Sequence, residues 1–175
     1  MESRIKVLGH PLHPMLIVLP LGLLSMAVIF DILQLLTRNN TLSIAAYWNI
    51  AAGVVTGLLA AAAGLRDWIA IPGGTRAKTI GALHGLGNLI VVVLFAASWW
   101  MRRDSVDYVP DTLAFFLGLV AFAIAGFTGW LGGELVYRLR VAVDDGANLD
   151  APSSLSKKPV TSLDAAPETE PAAHL

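Results

Sequence analysis

Cysteine is absent from the 175 residues, which removes disulfides, Cys-ligated iron–sulfur clusters, thioether-attached haem and thiolate-bound copper or zinc. Any metal or cofactor must therefore be held by histidine, carboxylate or backbone groups. Charge is scarce too: 14% of residues are charged, where soluble domains carry roughly a quarter. The net charge of −1 leaves no basic field for nucleic acid. No nucleophile stands beside a matched base in a cleft-like context, so hydrolysis is unsupported. The first apolar block is too long for a signal-peptide core and lacks a clear small-x-small cleavage site.

What the chain has instead is apolar length. Hydrophobic residues make up 55% and come in long blocks, and a run of about 20 apolar residues spans a bilayer. Four spans are expected, over residues 14–36, 44–65, 80–101 and 112–137. Pro20 inside the first frees the carbonyl of Leu16 and predicts a kink there. Gly53, Gly57 and Ala61 in the second span, and Ala125, Gly129 and Gly133 in the fourth, have the small-xxx-small spacing that lets helices approach closely. Short connections make consecutive spans antiparallel. The expected fold is an all-α membrane protein, an up-down four-transmembrane-helix bundle over residues 1–140. Residues 141–175 lack apolar periodicity and read as a disordered cytoplasmic tail.

Orientation follows from lysine and arginine in short loops. Arg4, Lys6, Arg66, Arg76, Lys78, Arg138 and Arg140 lie on the side of the termini, against Arg38, Arg102 and Arg103 on the other. Both termini are therefore expected in the cytoplasm, with the bundle in the inner (plasma) membrane.

Whatever the orientation, the start of the first span, the end of the second, the start of the third and the end of the fourth meet at one membrane face. This gathers His10, His13, Arg66, Asp67, His84, Asn88, Glu134 and Tyr137 at one end of the bundle. His10 and His13 precede prolines in Gly9-His10-Pro11-Leu12-His13-Pro14, and the residue before proline resists the α region, so both mark the start of the first helix. His84 lies about a turn inside the third span, where an ionisable group is a functional candidate by default, and Asn88 follows it one turn later. Asp31, eighteen residues after His13, is expected to pair with a neighbouring helix or water; Arg102 and Arg103 are expected to stop the third span.

The opening Gly-His-Pro-Leu-His-Pro, the pair His84-x-x-x-Asn88 and the ending Gly132-Gly133-Glu134-Leu135-Val136-Tyr137 resemble the bacterial DUF2231 family of predicted four-helix membrane proteins, over roughly residues 8 to 140. In that family the closing motif is often followed by a His- or Gly-containing Val-rich end, whereas here it is Arg138-Leu139-Arg140-Val141-Ala142-Val143. The family carries no assigned function. Some relatives resemble fusions with Rieske or cytochrome c modules, which by association implies a setting near membrane electron transfer.

Three functions remain open on these residues. In the first, His13 and His84, on parallel and diagonal spans, bracket the iron of haem b for electron transfer, with Arg66 near a propionate and a membrane redox partner. In the second, His10, His13, His84, Asp67 and Glu134 form a divalent-metal or proton site. In the third, the chain is a structural or assembly subunit without chemistry, embedded in the lipid bilayer and able to form a homo-oligomer through its small-residue stripes. The first is the leading expectation.

Overall fold

The protein is described from a computed structural model, which covers residues 1–156 and 158. The part of the expected tail that follows, including His174, lies outside the described residues.

Before the first helix the chain makes a small antiparallel ribbon, β1 (Lys6–Val7) and β2 (His10–Pro11), in which Val7 faces His10. Leu8 and Gly9 between them have φ of 51° and 84°, the two positive values that a two-residue hairpin turn needs. His10 thus belongs to a strand, and helix begins after Pro11. The first span is α1 (Leu12–Leu16) and α2 (Val18–Thr37). They are divided at Ile17, next to the Leu16 carbonyl that Pro20 leaves without its helical donor. Arg38, left-handed at φ 61°, ends it.

The second span, α3, runs Thr41–Ala70, and the third, α4, Arg76–Met101. Both extend past the apolar blocks because a helix already nucleated continues into the headgroup zone at little cost. The Thr75 hydroxyl caps α4 by accepting from the Lys78 N–H at 3.2 Å. The fourth, α5, covers Thr112–Gly133, capped by Asp111, and closes in one π-helical turn over Glu134–Arg138. These four helical segments are long and apolar enough to cross a membrane, and they form a multi-pass bundle whose flanks of exposed Val18, Leu21, Leu58, Leu59, Leu86, Phe127 and Trp130 face lipid. Residues 139–156 form turns and irregular chain. Part of this stretch folds back on the start of the chain: the Met1 ammonium donates to the Arg140 carbonyl, and Lys6 pairs with Asp144 at 2.6 Å.

Burial is organised as two equivalent helical hairpins. The buried positions of α3, Ala46, Ile50, Gly53, Ala60, Ala63 and Asp67, recur at the same spacing as Ala114, Gly118, Ala121, Thr128, Leu131 and Leu135. Leu24, Ala27 and Asp31 of α2 likewise match Phe95, Ser98 and Arg102 at the end of α4. The packed stripes therefore run through Gly53 and Ala60 and through Ala121 and Thr128. They do not run along Ala61 or Gly129, which are exposed; a Cβ on Gly129 meets nothing within 4 Å. Leu24, Ala27, Val28, Ala46, Ile50, Val91, Phe95 and Ala121 make the core.

Equivalent positions of the two hairpins also meet each other. At the end away from the termini Arg102 donates through both terminal guanidinium nitrogens to both carboxylate oxygens of Asp31, at 2.9 and 3.0 Å, and also to the Ser98 hydroxyl at 2.8 Å. Arg102 is 1% exposed. The third span stops at Arg102 as expected, and the last turn of α4 also points this residue inward, where it is the neighbouring-helix partner expected for Asp31.

Candidate functional site

His13 and His84 occupy equivalent positions of the two hairpins, each lying eighteen residues before its half of the Asp31–Arg102 pair. Their rings are 6.2 Å apart between centroids and nearly perpendicular, at 87°. Each ring is held in the same way. His13 Nδ1 lies 2.8 Å from the carbonyl of Ala60, and His84 Nδ1 lies 2.8 Å from the carbonyl of Thr128. A carbonyl only accepts, so in both rings Nδ1 carries a proton and donates it.

The local sequence makes this approach possible. Four residues beyond each accepting carbonyl is a glycine, on the same helix face. A Cβ on Gly64 would stand 2.9 Å from His13 Nδ1, and one on Gly132 would stand 3.1 Å from His84 Cε1. Gly64 and Gly132 are therefore the bare backbone on which the imidazoles lie. Reading the sequence from the histidines alone missed them as site residues; their matched placement four residues after Ala60 and Thr128 is the signal that identifies them.

The two sides differ in one respect. Asn88 donates from Nδ2 to the carbonyl of His84 at 2.8 Å, and the same nitrogen lies 3.3 Å from His84 Nε2. Its Oδ1 accepts from the Thr128 hydroxyl at 3.1 Å. Thr128 thus contacts the site twice, through its carbonyl to the ring and through its hydroxyl to the amide beside it. The corresponding residues beside His13 are Ile17 and Ala60, so His84 alone has a polar neighbour to orient it.

The other residues expected at this end do not join the histidines. His10 is exposed on β2 with Ser154 Oγ 3.1 Å from its Nε2, because the ribbon carries it outside the bundle. Arg66 follows Gly64 by two residues, about 200° around the helix, and is exposed. Asp67 is buried, but its carboxylate accepts from the Ser3 hydroxyl at 2.9 and 2.8 Å and from the Arg4 N–H at 2.7 Å. It anchors the segment before β1. Glu134, two residues beyond Gly132, is likewise turned away and pairs with Arg76 at 2.6 Å. Tyr137 is 86% exposed. The structure thus brings together His13, His84 and Asn88, and leaves His10, Arg66, Asp67, Glu134 and Tyr137 to surface and anchoring contacts.

As a donor set, two imidazoles with their Nδ1–H groups bonded to carbonyls are oriented as metal-binding histidines are, since such bonds set ring orientation and raise ligand basicity. Among the described residues no group of three or more histidine, aspartate, glutamate or cysteine side chains could hold a metal ion. A family model described as a predicted membrane protein (DUF2231) matches residues 9–145. No curated protein and no solved structure matches the chain.

Proposed function

The chain belongs to the DUF2231 family of predicted membrane proteins, and from that footing we propose that it is a membrane electron-transfer module in which His13 and His84 would hold a b-type haem. The observation that carries this reading is the matched pair of carbonyl-anchored imidazoles 6.2 Å apart. A tetrahedral ion would need a third and fourth donor. A haem needs just these two from the protein, and it supplies a one-electron couple.

The protein's own contributions are positional. The carbonyls of Ala60 and Thr128 hold each Nδ1–H, so that Nε2 would be the nitrogen left to bind a metal, Gly64 and Gly132 let the rings seat, and Asn88 steadies His84. In a multi-pass membrane protein such a site would exchange electrons with a second membrane redox protein. The lysine and arginine excess on the side of the termini orients that side toward the cytoplasm.

The test is the visible spectrum of detergent-purified full-length protein, oxidised and reduced. A Soret band at stoichiometric intensity is expected, abolished by His13→Ala and by His84→Ala. It should be reduced in Asn88→Ala and essentially kept in His10→Ala. Absence of the band in the wild-type protein overturns the proposal.

A further inference from the structure

At the same membrane face, on the outer side of α3, a cleft of about 300 Å³ is lined by Arg4, Arg66, Ile69 and Ala70. Its two arginines have arrived by different routes. Arg66 is carried by the last turns of α3, whose neighbours Leu65 and Ile69 are 55% and 59% exposed. Arg4 is pinned there, because its backbone N–H and the adjacent Ser3 hydroxyl are both bonded to buried Asp67, the residue after Arg66.

Neither guanidinium has an ion-pair partner among the described residues. Of the other cations near this face, Lys6 is paired with Glu2 and Asp144, Arg76 with Glu134, and Lys78 is held by the carbonyl of Trp68 and its indole ring, while Arg138 and Arg140 do not line the cleft. The anchor therefore holds two unneutralised guanidinium groups at one cleft, where a single anion could meet both. Arginine forks match phosphate oxygens. The exposed leucine and isoleucine beside them belong against acyl chains, so the anion must be one attached to hydrocarbon.

We propose that this cleft binds the phosphate headgroup of an anionic phospholipid, with Arg4 and Arg66 on the phosphate and Leu65 and Ile69 against the upper acyl chain. The anion-binding group and the segment that docks β1 onto α3 are then coupled: a lipid between the two arginines ties the N-terminal segment to the bundle. Basic clefts beside membrane helices recognise lipid headgroups through this chemistry.

The experiment is the thermal unfolding of the detergent-solubilised full chain on adding phosphatidylglycerol, phosphatidylcholine, or inorganic phosphate at matched ionic strength. Phosphatidylglycerol is expected to raise Tm, and the other two to leave it nearly unchanged. The shift should vanish in Arg4→Gln/Arg66→Gln, return in Arg4→Lys/Arg66→Lys, and persist in Arg38→Gln, which removes an exposed arginine from the opposite membrane side. Both arginines are exposed, so the variants should fold; native mass spectrometry, counting retained phosphatidylglycerol in wild type and double Gln variant, gives a second reading independent of stability. No shift with phosphatidylglycerol, an equal shift with phosphatidylcholine, a full shift with inorganic phosphate, or an undiminished shift in the double Gln variant would each overturn the proposal.

Discussion

The residues that matter most are small ones placed beside large polar ones. Gly64 and Gly132 look like helix-packing glycines in the sequence, yet each is the floor of an imidazole. Gly64→Ala and Gly132→Ala put a methyl group 2.9–3.1 Å from ring atoms, so the rings must move and their carbonyl bonds lengthen. A loss of about 1–3 kcal/mol is expected, as at other overpacked sites, with weakened haem retention. Chemical denaturation in detergent and the Soret intensity check the two parts. Arg102 gives a larger effect. Arg102→Ala leaves the Asp31 carboxylate buried without its partner, which costs about 3–5 kcal/mol. Asp31→Leu/Arg102→Met should recover most of that loss, because two apolar chains need no pairing. An equally damaged double variant would show that the pair does more than neutralise itself.

At the scale of elements, the four spans were legible because apolar length in a membrane protein is an unambiguous signal, and the Pro20 break was legible because proline lacks a donor. Which face of each helix packs was not. Small-xxx-small spacing occurs in two registers along α3 and two along α5, and composition alone does not choose between stripes offset by one residue. The choice is made by partners: Leu24 fills the space over Gly53, and Thr128 Cγ2 sits where a Cβ of Gly87 would be. Gly87→Ala should therefore lower Tm measurably, whereas Gly129→Ala, facing open space, should be neutral or slightly stabilising through its better helix propensity. The candidate site was half legible. His13, His84 and Asn88 could be placed from depth and helix phase, but phase also turns Arg66 and Glu134 outward, and grouping residues by membrane face ignores it. His10 was misplaced because the Leu8–Gly9 turn makes a ribbon where the prolines pointed to a helix start.

For the whole molecule, topology and assembly can be tested separately. A reporter fused after Leu175 should read as cytoplasmic, given seven lysines and arginines on that side, Arg4, Lys6, Arg66, Arg76, Lys78, Arg138 and Arg140, against three on the other, Arg38, Arg102 and Arg103. Truncation after Asp145 should leave the bundle and any haem in place, since it keeps the Lys6–Asp144 pair; lost expression would show that later residues are needed. Cutting the chain in the exposed Gly73-Gly74 turn and co-expressing the two pieces should restore the Soret band, because each piece is a complete helical hairpin.

The meeting of equivalent positions sets a rule of self-recognition. Two copies of the first hairpin, placed as the two halves are placed here, would match histidine with histidine at one end, as the intact chain does. At the other end they would drive carboxylate against carboxylate in a site with almost no water, and two copies of the second would set guanidinium against guanidinium. Asp31 and Arg102 therefore act as a lock and its key within one polypeptide. They leave the shared imidazole site symmetric in kind while forbidding either half to substitute for the other, so that a chain made of interchangeable parts assembles in one order only.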